Sequence, residues 1–360
     1  MRWWGGVSAV LVALAVGAVG PAVADEHVWR EQSEKTVEAR GIEAIEIINS
    51  RGRVDLLPSP DGKLHLSALK IVRVRGRERA EELARGIVVE TATHGRQLTV
   101  EVVYQKRRSI QIGFWDLFRV DGVTLPRYEV QITCQVPRGL SVSVHESSGD
   151  IRSEDIAGPQ VLKSTSGDVE VSSPGDRVEA SSTSGDVNAS GLRQARVRSV
   201  SGDIVIRQVA GALRASTTSG GITVTGAQDS LALSSTSGDI RTDSAPHGLE
   251  AGTSSGEVTA QGVSGVVKVS TSSGDVRLSV REPLRGIDAS TSSGEIRLRL
   301  DPAVACVLEM RTSSGALEVT LPMEMRTVSR RSVAGTIRGG KTPVVLHTSS
   351  GDITVVSGGE

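Results

Sequence analysis

Ser148-Gly149-Asp150-Ile151, Ser166-Gly167-Asp168-Val169, Ser184-Gly185-Asp186-Val187 and Ser201-Gly202-Asp203-Ile204 repeat one signature at intervals of 17 or 18 residues. The same glycine context continues at Gly220, Gly238, Gly256, Gly274, Gly294, Gly315, Gly335 and Gly351, with spacings mostly of 18 residues and of 16 to 21 near the C-terminus. A fixed period of this size marks a stack of supersecondary units, none of which can bury its apolar edge alone.

Alignment on the glycine shows which positions face inward. Leu231 and Leu233 precede Gly238, Val267 and Val269 precede Gly274, and Val344 and Leu346 precede Gly351. After the corner come Ile204 and Ile206, Val276 and Leu278, Ile296 and Leu298, Leu317 and Val319, and Ile353 and Val355, each pair split by a polar residue. A period of two on both sides of the corner means strand, corner, strand. Three residues before the glycine stands a hydroxyl: Ser164, Ser182, Ser199, Thr217, Ser235, Thr253, Thr271, Thr291, Thr312, Ser332 or Thr348. Pointing inward, such a group bonds neighbouring backbone without leaving a polar atom unsatisfied. The corner glycine is expected to supply a positive φ. A looser Gly or Pro turn at Gly158-Pro159, Gly191, Gly211, Gly248 and Gly286 closes each unit.

These features predict an all-β protein, a parallel β-solenoid (β-helix-like) of about 12 coils with about 18 residues per coil and a short N-terminal capping region containing one small helix. An antiparallel meander or sandwich, with each corner a hairpin turn, is the competing architecture, since hairpins also favour Gly. The solenoid suits the composition better. Aromatic residues make up 2% of the chain and the last is Tyr128, so everything beyond must build its core from aliphatic and hydroxyl side chains, which a narrow coil interior accepts.

Three segments follow. Residues 1–24 read as a signal peptide, with Arg2, an apolar stretch from Val7 to Val19 and Ala22-Val23-Ala24 before Asp25; a retained anchor would need a longer apolar run. Residues 25–139 form a β-rich region and cap. Within it Arg77 to Arg85 reads as a short surface helix, strands run at Gln97 to Tyr104 and Arg127 to Val136, and Asn49-Ser50-Arg51-Gly52 resembles a degenerate first corner. Residues 140–356 carry the array. No Cys lies near the cleavage site and no apolar tail follows the array, so no lipid anchor and no transmembrane segment after signal cleavage is expected. The protein is expected to be exported, whether periplasmic, at the cell surface or secreted.

The strand at Glu129 to Val136 running into Val136-Pro137-Arg138-Gly139-Leu140, followed by the Ser-Gly-Asp corners, resembles the bacterial "putative adhesin" family of β-strand-repeat proteins, a domain of unknown function, over about residues 40–356. The resemblance implies an exported β-solenoid of the cell envelope without an established ligand or catalytic site.

The corners are the candidate structural ladder: Gly149, Asp150, Gly167, Asp168, Gly185, Asp186, Gly202, Asp203, Gly238, Asp239, Gly274, Asp275, Gly351 and Asp352. Carboxylates stacked at about 4.8 Å repel one another, so either hydrogen bonds at the corner or bound calcium must offset them. One acid per unit, gaps at Gly221, Ala316 and Thr336, and Arg at 152, 241, 277 and 297 favour the hydrogen bonds. No metal or other cofactor is expected, and no catalytic residue is assigned. The six histidines, His27, His65, His94, His145, His247 and His347, have no metal-ligand spacing, and no serine sits in a Gly-x-Ser-x-Gly elbow. Lys and Arg number 41 against 42 Asp and Glu, which gives no electrostatic case for nucleic acid. Phe114, Trp115 and Phe118 form an aromatic cluster that suits either a cap over the open end of the stack or a contact loop. Cys134 and Cys306, in strands many units apart, are expected to stay unpaired. The reading is an exported non-catalytic module, an adhesin or scaffold with an envelope or surface partner, glycan or protein. The alternative is a polysaccharide-active β-helix enzyme, a lyase or hydrolase.

Overall fold

A computed structural model describes residues 26–104 and 127–358. The leader at 1–24 and the aromatic cluster Phe114, Trp115 and Phe118 lie outside the described residues. The chain divides into two compact units, Met1–Gly167 and Asp168–Glu360. Among the described residues the protein is all-β with one small helix and long runs of parallel strand pairing, so the hairpin architecture does not hold at the corners.

The first unit contains β1 (Glu26–Val37), β2 (Ala44–Pro58), β3 (Leu64–Arg75), α1 (Arg77–Arg85), β4 (Ile87–His94), β5 (Gln97–Tyr104), β6 (Arg127–Val136), β7 (Ser141–Glu154) and β8 (Gln160–Ser164). Strands β1, β3 and β6 form an antiparallel layer, in which Ile71 pairs with Arg30 and Glu129. Strand β2 pairs in parallel with β5, β6 and β7, with Gly52 opposite both Val130 and Gly149. The Asn49–Gly52 corner therefore opens the ladder. The apolar members of β2 alternate inward, and Ile45, Ile47, Val54 and Leu56 are all buried.

The second unit contains β9 (Val169–Ser172), β10 (Val178–Ser181), β11 (Val187–Leu192), β12 (Ala195–Arg198), β13 (Ile204–Val209), β14 (Leu213–Ser216), β15 (Ile222–Ala227), β16 (Leu231–Ser234), β17 (Ile240–Thr242), β18 (Leu249–Ser255), β19 (Val258–Ser273), β20 (Val276–Ser293), β21 (Ile296–Leu300), β22 (Cys306–Ser314), β23 (Leu317–Val319), β24 (Glu324–Val328), β25 (Ser332–Ile337), β26 (Thr342–Ser350) and β27 (Ile353–Ser357). From β9 to β19 each strand pairs in parallel with the equivalent strand one coil on, and not with its neighbour across the corner. Val169, Val187, Ile204, Ile222 and Ile240 make one continuous row, every member fully buried. Burying a Val or Ile side chain contributes about 1.5–3 kcal/mol, and no coil achieves it without the next.

Gly52, Gly274, Gly315 and Gly351 have a positive φ, as expected of a corner, but most corner glycines hold their positions for another reason. Gly149, Gly167, Gly202, Gly220 and Gly238 do not have positive φ. What excludes a side chain is the neighbouring coil: a Cβ on Gly238 would lie 1.9 Å from the Gly220 carbonyl oxygen, and one on Gly202 2.0 Å from that of Gly185. Close backbone approach is the constraint.

At the C-terminus the order of the stack departs from the order of the sequence. Strands β20 and β21 pair with β26 and β27, and these in turn pair with β22 and β23. The last coil thus lies between its two predecessors, and the corner column runs Gly294, Gly351, Gly315. Gly335 is not a corner. It lies in β25, which is antiparallel to β22 and β24, so Ser332 and Thr336 belong to a flanking hairpin and are not ladder positions. The repeat spacing misled here because Gly335 falls at the right distance by coincidence, without an apolar pair after it.

Candidate functional site: the corner ladder and the outward trough

The inward hydroxyls form a chain of bonds. Ser199 Oγ accepts the Gly202 N–H at 2.9 Å and donates to the Gly185 carbonyl one coil back at 3.1 Å. Thr217 does the same with Gly220 and Gly202, and Ser235, Thr253, Thr271 and Thr291 donate to Gly220, Gly238, Gly256 and Gly274. In the inserted coil Thr348 donates to Gly294, and Thr312 donates to Gly351. In the first unit Ser164 links Gly167 to Gly149. Each of these hydroxyls is buried or nearly so and engaged with backbone.

Outside the corner a second chain runs through the acids. Asp168 Oδ1 accepts the N–H of Asp186, Asp186 that of Asp203, Asp203 that of Gly221, Asp239 that of Glu257, Asp275 that of Glu295 and Asp352 that of Ala316. Charge is offset by arginines on the following strand. Arg241 pairs with Asp239 at 2.9 Å, and Arg277 bridges Glu257 and Asp275. The Glu257 N–H, then Arg241, hold the Asp239 carboxyl below its ordinary range, while Arg277, then Thr259, do so for Glu257.

The first unit starts the hydroxyl ladder with different chemistry. Asn49 and Glu146 occupy the positions three before Gly52 and Gly149. Asn49 Nδ2 donates to the Val130 carbonyl at 3.0 Å, and the Tyr104 hydroxyl sits 2.9 Å from Asn49 Oδ1. Tyr128 packs against Tyr104 at 5.4 Å between ring centroids, with the Arg51 guanidinium over its face at 4.9 Å. Glu146 is 4% exposed, and among the described residues neither carboxylate oxygen makes a well-formed hydrogen bond, although the Ser148 and Ser147 N–H groups and Asn49 lie close by. Burial pushes its carboxyl up to about 7, with nearby Ser148 and Ser147 N–H groups and Asn49 opposing and Asp150 adding to the rise.

The outward face of the strands before the corner carries a trough of about 550 Å³. Its rungs bring together residues far apart in sequence, through the pairings Glu179↔Arg196, Arg196↔Arg214, Arg214↔Ala232, Ala232↔Glu250, Glu250↔Lys268 and Lys268↔Asp288. Small residues pave it, Ala212, Ser230, Ala232 and Gly248, and an adjoining hollow of about 420 Å³ that shares Arg214, Ala232, Glu250 and Lys268 carries it on over Ser234, Gly252, Ser270 and Ser290. Arg196, Arg214 and Lys268 have no carboxylate within 4 Å among the described residues. The sequence reading did not single these cations out. The signal was present: in the alignment on Gly, position minus six is Arg196, Arg214 and Lys268, but the inward pattern drew attention to the alternate positions.

Among the described residues no group of His, Cys, Asp and Glu could hold a metal ion, and no helix is long and apolar enough to cross a membrane. Cys134 and Cys306 are both free and buried, and burial pushes their thiols up to about 12 and about 11.

No curated protein matches the sequence. Solved structures with the same broad likeness include one named "putative adhesin" from Bacteroides fragilis, at 15% identity over 91% of this chain and 96% of that one, TM-score 0.28. Another, from Parabacteroides distasonis and named "putative lipid binding protein", has 15% identity over 89% and 96%, TM-score 0.34. A third, "putative adhesin" from Parabacteroides merdae, has 12% identity over 91% and 95%, TM-score 0.31. The Toastrack DUF4097 family model matches residues 72–262 and again 231–356, and with those matches running through the whole corner array the chain belongs to that family.

Proposed function

We propose that this chain is an exported, non-catalytic binding module of the cell envelope, built as a solenoid of about a dozen coils, whose contact surface is the outward face of the strands before the corners. The observation that carries the reading is the division of labour at the repeat. The corner hydroxyls bond backbone and many of the corner carboxylates cap N–H groups or pair with Arg, so they act as structure. The trough residues Arg196, Arg214 and Lys268 stand outside that bonding and face solvent on a shallow surface spanning several coils. A surface of this kind suits repeated weak polar contacts that add along its length. Glycoside hydrolysis needs a pair of carboxylates free to act as acid and base or nucleophile, and the engagement of corner acids such as Asp186, Asp203 and Asp239 with backbone N–H groups and Arg241 weighs against that alternative. The partner is a glycan or a protein of the envelope or cell surface.

The test is to incubate the mature chain with a panel of acidic and neutral polysaccharides, peptidoglycan and envelope proteins, reading binding and chain cleavage together. Saturable binding without change in polymer length is expected. Depolymerisation abolished by one Asp or Arg substitution would overturn the reading in favour of an enzyme.

A further inference from the structure

Charge along the trough is unevenly distributed. At one end Arg177, Arg196, Arg198 and Arg214 lie on three successive rungs against the single acid Glu179. Arg196 and Arg214 are direct cross-strand partners. Like charges directly opposite on a sheet destabilise it, and here no carboxylate within 4 Å relieves them. A second cationic point, Lys268, lies three rungs beyond Arg214, about 14 Å away at the usual strand spacing. Between them the floor is Ala232 and then Glu250, and past Lys268 stands Asp288.

We infer that the trough binds an acidic heteropolysaccharide, one carboxylate seated on Arg196 and Arg214 and the next on Lys268, with neutral sugars lying between. This rests on the binding-module reading above. Guanidinium groups take carboxylates in bidentate geometry, and the hydroxyls of Ser230, Ser234 and Ser270 offer donors and acceptors to sugar hydroxyls. Glu250 and Asp288 flank Lys268 one rung away on either side, so a single carboxylate centred on the ammonium is attracted, whereas a polymer with an acid on every sugar would set further carboxylates directly against the two acids, a repulsive element that selects for sparse charge. A protein partner would want an aromatic or aliphatic anchor, and the one large apolar side chain exposed in the trough is Val266. With no ring to stack on, affinity comes from charge and hydroxyl bonding and falls with salt.

The experiment measures binding of the full mature chain to deacylated gellan, which has one glucuronate in each tetrasaccharide repeat, beside polygalacturonate, dextran and polyphosphate. Gellan should bind best, and raised salt should weaken it. R196Q/R214Q and K268Q should each weaken it at least about tenfold, as the loss of charge-assisted hydrogen bonds requires. R297Q/R299Q, which removes two exposed arginines from the strand after a corner, should change it by less than about twofold. Because the like-charge pair is relieved, R196Q/R214Q should melt no lower than the parent. E250Q carries the test independently of that variant: removing the acid opposite Lys268 should raise affinity for polygalacturonate by more than it raises affinity for gellan. Equal binding by R196Q/R214Q, tighter binding to polygalacturonate or polyphosphate than to gellan, or indifference to E250Q would each overturn the inference. Binding only to dextran or to a protein would overturn it and leave the module reading intact. Binding to no envelope polymer or protein would sink both.

Discussion

The Oδ1 of Asp186 accepts the backbone N–H of Asp203, one coil later, at 2.8 Å. The acid is thus a cap for the next corner, and what the corner needs is an acceptor at that reach, not a charge. Asp186→Asn keeps the acceptor and removes one charge from the acidic column, so its stability should match the parent within about 0.5 kcal/mol. Asp186→Ala leaves the Asp203 N–H to water and should cost about 1 kcal/mol. Urea unfolding of the two variants side by side checks the claim, and equal loss in both would show that charge is what matters.

Gly238 is fixed by its neighbour and Gly62 only by its torsion. A Cβ on Gly238 would lie 1.9 Å from the Gly220 carbonyl oxygen, whereas one on Gly62, at φ 76°, meets nothing within 4 Å. Gly238→Ala must therefore pry two coils apart and should cost at least about 3 kcal/mol. Gly62→Ala should cost about 1 kcal/mol, from backbone strain alone. Thermal melts of both variants would separate the two mechanisms.

The inward rows and the hydroxyl ladder were legible because each position recurs with one chemistry. Val169 to Ile240 alternate with polar residues, and Ser or Thr precedes almost every corner glycine by three. The helix at Arg77–Arg85 and the strands at Gln97–Tyr104 and Arg127–Val136 were legible from local pattern and have those bounds among the described residues. Strand order at the C-terminus was not. Thr312-Ser313-Ser314-Gly315 and Thr348-Ser349-Ser350-Gly351 are the same corner, so either coil fits on Gly294, and nothing local says which. Nor was the trough, since outward positions in a solenoid vary freely and only stacking reveals which of them meet.

Glu146 occupies a ladder position that holds Asn49 before Gly52 and Ser or Thr before the later corners, and its fold favours the protonated carboxyl. Burial raises the group from 4.5 to about 7. A raised pKa means that the folded chain binds the proton more tightly than the unfolded one. The stabilisation is thus complete below about pH 4.5 and is lost as pH rises through about 7, on the order of 2 kcal/mol after allowance for screening at a corner near the surface. Asp150 adds to the cost of ionisation, while Asn49 and the Ser147 and Ser148 N–H groups reduce it. Glu146→Thr should remove this loss, so that the variant is the more stable protein at pH 8 and the two converge near pH 5. Denaturant midpoints across that interval provide the measurement; parallel curves for parent and variant would mean that Glu146 is ionised throughout.

Strands β26 and β27 are the last in sequence yet interior in the stack, with Ile296 and Leu317 both paired to Ile353. A terminal coil added in sequence order would be an end coil, with one face unpaired and its amides exchanging by local fraying. Ile353 donates to the Ala316 carbonyl at 2.9 Å while the N–H of Ile296 reaches the Asp352 carbonyl at 2.9 Å, so this coil bonds on both sides. Its amides should exchange as slowly as those of Ile222 or Ile240, within about tenfold, and more slowly than those of Leu317 and Val319 on the edge strand β23. Deleting residues 342–360 should consequently do more than shorten an end. The coil from Cys306 must either lose its parallel partner or drop onto Gly294 in its place, where Thr312 would find the carbonyl that Thr348 now holds. Collapse of that kind preserves strand content while changing the partners of Leu308 and Met310. Hydrogen exchange on the full chain and on the deletion distinguishes the two orders: rapid exchange across Ile353 to Val355 in the full chain would show that the last coil sits at an end.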